Sequence, residues 1–286
     1  MTFYPQPNRY ECGPFALKHA LAVLGVFAEE RRIASLAGTT TAGTDEVQLA
    51  RAARRYGCDL PTHRLTDPDA ARDALVGELN AGRPVLTCVD EWSHWITVTS
   101  EHDGRFVIAD SAEDSVLRAV EWEELRQRWG LRSREPGGET ELFDLNPLVP
   151  RGVLPFAGLR PADVGYLAAD GRELVRDWSH YVSDLLDVGA AARGGEDDPA
   201  VRPLSAVLRQ HRRGLLDRVD GKGPSHRAAA RIALDRIVFV ANAYDLRVLP
   251  RHARDGVGLT EALARRVVGR RWRPAPRRTD YEPTAR

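Results

Sequence analysis

The three cysteines differ in the local sequence around them, and only one has the surroundings of a nucleophile. Cys12 comes immediately before apolar residues at helical spacing, which predicts a buried helix over 13–24. The free amides of a helix N-terminus stabilise a thiolate and so lower the pKa of a thiol placed there. Cys58 follows the helix-ending Gly57 and Cys88 lies in an apolar strand, as is typical of small buried side chains. Cys12 is therefore the candidate nucleophile.

A histidine and an aspartate on two predicted strands are its candidate partners. Alternation along strands 94–100 and 105–110 places His94 and Asp110 on the core face of each strand. A hairpin turn centred near Asp103 makes them diagonal neighbours, with Cβ atoms roughly 7 Å apart or less, whereas a one-residue slip separates them. Each residue alone is more typical of a structural role. If both lie on a core face, the carboxylate and the imidazole would be hydrogen-bond partners, as buried polar groups require.

The segment Gln-Pro-Asn-Arg-Tyr-Glu-Cys-Gly-Pro-Phe-Ala-Leu, which runs from Gln6 to Leu17, resembles the nucleophile segment of a known family. This family is that of the papain-like cysteine peptidases that process double-glycine bacteriocin leaders, together with their soluble relatives. The resemblance covers about residues 1–130. It implies that Cys12 attacks a carbonyl, that His94 shuttles the proton and that Asp110 orients the imidazole. It also implies that Gln6 and the backbone amide of Cys12 stabilise the oxyanion.

Three further residues are candidates for substrate binding. Gly13 allows a close backbone approach at the helix start, and Trp92 and Trp95 flank His94. Such tryptophans would either grip a substrate chain or fill the core, and alternation puts Trp95 on the face opposite His94. Pro14 replaces the small residue that is common in the family after Cys-Gly. Because the transporter-linked members carry a membrane exporter and no such segment is predicted here, the substrate stays open.

The pattern of elements predicts an α+β fold with three parts. Residues 1–135 are predicted to form one domain, in which a helical lobe precedes an antiparallel meander and which the resemblance implies is papain-like. Residues 136–160 are rich in Pro and Gly and are predicted to be a linker. Residues 161–286 are predicted to be an all-helical domain with a mobile basic tail from Trp272 onward.

Charge and composition restrict the partners. The net charge is zero, but residues 1–150 hold 16 basic and 24 acidic side chains, and the remaining residues carry the opposite excess. This complementarity favours packing of the two halves over nucleic-acid binding. Neither a secretory signal nor a membrane span is predicted, which indicates a cytoplasmic protein. No metal site or cofactor is expected, since the histidines of the second half lack ligand spacing and thiol chemistry needs no cofactor.

These features predict a soluble papain-like thiol hydrolase that cleaves a peptide, isopeptide or related amide bond. Two alternatives remain open from the sequence. The same residues could pass the acyl group to an amine, as in an acyl or amide transferase. The second alternative is a catalytically silent peptide-binding module. The presence of Gln6, Cys12, His94 and Asp110 counts against this alternative.

Overall fold

The computed structural model describes residues 2–135, 138–169, 172–190, 201–219, 224–248 and 252–271. The tail predicted to be mobile, from Trp272 onward, lies outside these residues. The chain divides into two compact units, Met1–Leu186 and Asp187–Arg286.

The helices up to residue 190 include a long helical lobe before the sheet. They are α1 (Cys12–Val23), α2 (Glu30–Ala37), α3 (Glu46–Arg54), α4 (Pro68–Asn80), α5 (Trp122–Trp129), α6 (Pro161–Ala169), α7 (Arg172–Arg176) and α8 (Trp178–Ala190). Local sequence explains their starts. Asp45 and Gln48 form a reciprocal capping box at α3, and Asp67 caps α4 with Pro68 in the first turn.

The strands of the first unit are antiparallel. They are β1 (Cys58–Asp59), β2 (His63–Leu65), β3 (Val85–Val89), β4 (His94–His102), β5 (Arg105–Ala109), β6 (Leu117–Glu121), β7 (Leu131–Glu135), β8 (Gly138–Pro147) and β9 (Val149–Pro150). Among the described residues, seven strands form one sheet in the order β2-β8-β3-β4-β5-β6, with β7 paired to β8. The strands β1 and β9 pair separately.

The central strands are covered on both faces. Trp95 on β4 belongs to the same core cluster as Cys12, and Thr97 Oγ1 donates to the carbonyl of Ala16 on α1 at 2.7 Å. Ile96 and Val98 point the other way, into a second cluster with residues of α4 and α5. Both β3 and β4 are therefore rich in apolar and β-branched residues, and their buried threonines make hydrogen bonds, as Thr87 and Thr97 do. The sheet and its helices confirm the predicted α+β class.

The predicted division at residues 136–160 needs correction. Strand β8 lies inside the sheet, where its Asn146 pairs with Leu86 of β3. The helices α6 and α7 also belong to the first unit, because α6 packs on β5 and β6 and the backbone N–H of Thr2 donates to the carbonyl of Arg176 at 2.7 Å. The boundary between the compact units therefore falls after Leu186 and not at a linker before residue 161.

The second unit is built from helices. They are α9 (Leu204–Gln210), α10 (Arg212–Val219), α11 (Pro224–Ala243) and α12 (Ala253–Arg271). One short strand pair, β10 (Arg202–Pro203) with β11 (Arg247–Val248), departs from the all-helical prediction. Within the described part of the chain, no helix is both long and apolar enough to span a membrane.

Candidate active site

The candidate nucleophile is the first residue of α1. All twelve residues of this helix are buried, and Cys12 itself is 4% exposed. Its first turn contains no acidic side chain, and the N-cap residue Glu11 makes no side-chain capping hydrogen bond to the helix N-terminus. Burial raises the pKa of the thiol, but hydrogen bonds from His94 and from the backbone N–H groups of Trp95 and Gly13 outweigh it, and the net pKa is lowered. The site therefore stabilises the thiolate relative to a thiol with the ordinary cysteine pKa.

His94 and Asp110 form the second part of the site. The Nε2 atom of His94 lies 2.7 Å from Oδ1 of Asp110, which leaves Nδ1 of the imidazole for the hydrogen bond with Cys12. Burial lowers the pKa of His94, but its bonds to Asp110 and Cys12 raise it to about 9. Burial likewise raises the pKa of Asp110, yet the bond to His94, the N–H of Ala112 and the charge of Arg128 bring it to about 2. These pKa shifts stabilise the thiolate of Cys12, the imidazolium of His94 and the carboxylate of Asp110.

The β4–β5 hairpin brings the histidine and the aspartate together. Asp103 and Gly104 make a two-residue turn with φ angles of 53° and 80°, as an Asp-Gly sequence favours. A register shift between Val98 and Ser100 then inserts one extra residue, Thr99, into β4. Beyond this bulge Thr97 pairs with Ala109, so Ile96 faces Asp110 and His94 lies diagonal to it.

The segment before His94 has a rare backbone conformation. Asp90, Glu91 and Trp92 have φ angles of 55°, 57° and 57°, in the left-handed region that costs a non-glycine residue about 1–2 kcal/mol. The hydroxyl of Ser93 donates to the carbonyl of Asp90 at 2.7 Å, and its N–H donates to Val89 at 3.1 Å. Strain held by surrounding bonds is a feature of functional segments. This left-handed segment, residues 90–92, fixes where β4 and His94 begin.

Gln6 lies on the N-terminal arm, next to the loop that follows Asp110. Its backbone N–H donates to the carbonyl of Ser111 at 2.8 Å, and the Ser111 hydroxyl donates to Oε1 of Gln6 at 2.5 Å. Its Nε2 donates to the carbonyl of Asn8 at 2.8 Å. The described hydrogen bonds of Gln6 thus anchor it beside Asp110 and do not include Cys12. Because an amide nitrogen has two hydrogens, one is still available to an oxyanion.

A cleft of about 360 Å³ is lined in part by Trp95, which belongs to the same core cluster as Cys12, but none of Gln6, Cys12, His94 and Asp110 lines this cleft. Its lining residues come from the α2–α3 loop, α3, the β1–β2 loop, β2, the β3–β4 hairpin and β8: Thr40, Ala42, Gly43, Thr44, Asp45, Glu46, Gln48, Thr62, Arg64, Cys88, Trp92, Trp95 and Asp144. Trp92 lies at this cleft with the Arg64 guanidinium 5.5 Å from its ring centroid. The lining of the cleft is therefore both polar and aromatic.

The other two residues predicted to bind substrate have mainly packing roles. Trp95 is 6% exposed, and its Nε1 donates to the carbonyl of Thr44 at 2.8 Å. Gly13 is absent from the cleft lining, and a Cβ added to it would lie 3.1 Å from Cβ of Thr44 and 3.4 Å from Cδ1 of Trp95. The absence of a side chain at Gly13 therefore lets Trp95 and the Thr44 loop close over the start of α1.

The remaining cysteines are chemically different from Cys12. None of the three is in a disulfide. Burial raises the pKa of Cys58 to about 11, and burial also raises that of Cys88, which lies near the carboxylate of Asp144. Among the described residues, no group of three or more His, Cys, Asp and Glu side chains is placed to hold a metal ion. Of these thiols, only Cys12 has a lowered pKa.

Arg128, which the sequence does not single out, also contacts this site. Arg128 on α5 donates from Nη2 to Oδ2 of Asp110 at 3.0 Å. No sequence motif links α5 to the strands that carry His94 and Asp110. The contact arises only when α5 packs beside β3 and β6, so no local sequence signal reveals it.

The helical lobe, the antiparallel sheet and the thiol–imidazole–carboxylate cluster define a protein of the papain-like cysteine peptidase class. Residues 1–131 match the Peptidase C39 family, and the chain belongs to this family. An uncharacterized protein of Methanothermobacter marburgensis is 31% identical over 107 residues, which cover 37% of this chain and 69% of that protein.

Two solved structures are also similar to the chain. One is the peptidase domain of Streptococcus ComA, a bifunctional ABC transporter of a quorum-sensing pathway, with 17% identity, a TM-score of 0.38 and coverage of 52% of this chain and 98% of that chain. The other is a double-glycine motif protease from an AMS/PCAT transporter in complex with the leader peptide. It has 18% identity, a TM-score of 0.37 and coverage of 51% of this chain and 90% of that chain.

Proposed function

We propose that this chain is a thiol hydrolase that cleaves a peptide, isopeptide or related amide bond through Cys12, His94 and Asp110. The observation that carries the proposal is the coupling of the three groups. The interaction with His94 lowers the pKa of the Cys12 thiol, and Nε2 of the same imidazole lies 2.7 Å from the buried carboxylate of Asp110. An imidazole held in this way maintains a thiolate near neutral pH, which is the reactive form of cysteine.

The reaction would proceed through an acyl-enzyme. The Cys12 thiolate attacks the carbonyl carbon, and the oxygen takes up negative charge beside the Gln6 amide and the N–H of Cys12. The imidazolium of His94 gives its proton to the leaving nitrogen as the carbon–nitrogen bond breaks. Neutral His94 then takes a proton from water, whose oxygen attacks the thioester. Release of the carboxylic acid restores the thiolate and the imidazolium.

Each supporting residue has a task in this scheme. Asp110 fixes the orientation of the imidazole and stabilises its positive charge. The cleft lined by Trp92 and Trp95 would offer Trp92 as an aromatic contact and the Thr40–Thr44 loop as a source of polar groups for an extended chain. Its volume of about 360 Å³ suits a few residues of peptide rather than a folded protein surface.

The test is to incubate the full chain with a mixture of random-sequence peptides and to identify products by mass spectrometry. We expect cleaved peptides with the wild type and none with Cys12→Ala. A Cys58→Ala variant is the matched control, because Cys58 is buried in the same unit but has a raised pKa. Absence of any product and of any acyl adduct on Cys12 would contradict the proposal.

The same experiment separates hydrolysis from acyl transfer. Peptides are incubated with and without a simple amine, such as glycinamide. A hydrolase gives free carboxylic acids as the main products even when the amine is present. A transferase gives amide products at the expense of acids, because its site excludes water in favour of the amine.

A further inference from the structure

Arg128 is hydrogen-bonded both to Asp110 and to Asp90, the first residue of the left-handed segment 90–92. We infer that Arg128 is a positioning residue, which holds Asp110 and the left-handed segment in fixed relation and thereby sets the geometry of His94. This inference rests on the proposed function, since it concerns the same thiol chemistry.

One guanidinium contacts two carboxylates. Its Nε and Nη2 atoms donate to Oδ1 and Oδ2 of Asp90 at 3.0 and 2.7 Å, a fork that fixes the plane of both groups. The same Nη2 donates to Oδ2 of Asp110 at 3.0 Å. The backbone adds a further tie, because the N–H of Asp90 donates to the carbonyl of Arg128 at 2.7 Å. The Arg128 side chain is 22% exposed and that of Asp110 only 1%, so solvent screens the bond between them only in part, whereas the Asp90 side chain is 45% exposed.

At the Asp110 end, the bond determines which oxygen faces the histidine. Oδ1 of Asp110 contacts Nε2 of His94 at 2.7 Å and accepts the N–H of Ala112 at 3.0 Å. Oδ2 accepts from Arg128. With both oxygens occupied, the carboxylate cannot rotate without losing a bond in a buried setting. Arg128 therefore holds Oδ1 towards the imidazole.

At the Asp90 end, the same guanidinium holds the backbone that leads into His94. Asp90 is the first of three consecutive residues with positive φ, and His94 starts β4 two residues after the last of them. Trp92, the third, lines the cleft. A guanidinium that joins this segment to Asp110 fixes the imidazole from both sides, at its backbone and at its hydrogen-bond acceptor.

The charged groups around Asp110 determine how a pH profile should respond. They are His94 from β4, Arg128 from α5 and His19 from α1, and burial lowers the pKa of His19 to about 3, so it is neutral in the working range. Removing the Arg128 cation weakens thiolate stabilisation through charge and through lost orientation. Removing the Asp90 carboxylate takes away a negative charge, so through charge alone it would favour the thiolate. The two variants therefore separate positioning from charge.

The experiment measures the rate of Cys12 alkylation by iodoacetamide between pH 4 and 9 in the full chain. The variants are Arg128→Gln and Asp90→Asn, and asparagine tolerates the left-handed conformation of position 90. Arg126→Gln is the matched control, because Arg126 lies on the same helix but bonds to Glu141 at 3.0 Å. Thermal unfolding of each variant checks that it is folded.

We expect the pH midpoint of alkylation to rise by about one unit in Arg128→Gln, with an about tenfold lower rate at pH values well below the midpoint, and to rise in Asp90→Asn too. Arg126→Gln should match the wild type. If Asp90→Asn lowers or preserves the midpoint, the positioning role of Arg128 is wrong even when Arg128→Gln has an effect. If wild-type Cys12 shows no enhanced reactivity, the proposed function itself fails, and this outcome is distinct from the other.

Discussion

His94 and Asp110 lie on one face of the sheet because a single extra residue, Thr99, interrupts the ladder between β4 and β5. The turn at Asp103 and Gly104 pairs His102 with Arg105, a register that by itself would put Asp110 opposite Thr97. The shift between Val98 and Ser100 pairs Thr97 with Ala109 instead. A β-bulge thus sets the 2.7 Å contact between imidazole and carboxylate.

The hydroxyl of Thr99 anchors this bulge. It is fully buried and donates to the carbonyl of Val107 at 3.0 Å. We expect Thr99→Val to lower the free energy of unfolding by about 1 kcal/mol, because the carbonyl loses its donor while the volume is kept. Urea unfolding measures the change, with Thr66→Val at an exposed position as the control. Equal stability of the two variants would show that the bulge needs no such anchor.

Asp110 should control the protonation of His94. In Asp110→Asn the negative charge is lost, so the pKa of His94 should fall from about 9 towards its ordinary value near 6.5. Between these two values the imidazolium is present in the wild type and absent in the variant. The alkylation rate of Cys12 at pH 7.5 should therefore fall about tenfold or more.

An NMR titration of His94 measures the same effect directly. Asp114→Asn, an exposed substitution in the loop after β5, is the matched control and should leave the titration unchanged. A His94 pKa that stays near 9 in Asp110→Asn would contradict the assigned role of the carboxylate.

The sequence predicted α1 and the common face of His94 and Asp110 better than it predicted the turn and the bulge that set the strand register. Apolar spacing predicted α1 to within a residue, and alternation put His94 and Asp110 on one face. The register prediction assumed a turn centred at Asp103, whereas the turn spans Asp103 and Gly104, and the bulge offsets the difference. A bulge depends on pairing with a partner strand, so a single strand's pattern does not show it.

The prediction of a linker at 136–160 was wrong for a related reason. Strand β8 follows a breaker-rich stretch, and its segment Phe143–Asn146 is buried with polar residues included. Asp144 and Asn146 interrupt the apolar alternation, although both are satisfied by hydrogen bonds inside the sheet. Polar residues in a buried strand lack a sequence signature because tertiary partners supply their donors and acceptors.

Asp144 should therefore stabilise the first unit strongly. Its carboxylate accepts bonds from the hydroxyl of Thr87 at 2.9 Å, the N–H of Cys88 at 3.0 Å and Nδ2 of Asn146 at 3.0 Å. In Asp144→Asn an amide donor faces one of these donors, so we expect a loss of about 2 kcal/mol in unfolding free energy. Chemical denaturation measures it against the exposed control Asp73→Asn. A loss below about 0.5 kcal/mol would argue against β8 as part of this core.

His19 should limit stability in acid. It is fully buried and stacks on Phe3 at 5.1 Å, and neither ring nitrogen has a hydrogen-bond partner among the described residues. Burial lowers its pKa from 6.5 to about 3, so between these values only the unfolded chain takes up the proton. Stability attributable to His19 is thus lost progressively as the pH falls from about 6.5 to about 3.

The variant His19→Leu removes this proton uptake. Its unfolding free energy should fall less steeply than that of the wild type between pH 6.5 and pH 3, while the exposed control His63→Leu follows the wild-type curve. Denaturant titrations at several pH values measure the slopes. Parallel curves for His19→Leu and the wild type would mean that His19 takes up a proton in the folded state.

The most direct test of the central claim is the pH dependence of iodoacetamide labelling, with the labelled cysteines located by peptide mass mapping. We predict that Cys12 reacts rapidly near pH 6, that Cys58 and Cys88 do not, and that His94→Ala abolishes the difference. Labelling of Cys12 at the rate of a free thiol, with the same pH dependence in wild type and His94→Ala, would contradict an activated cysteine–histidine pair.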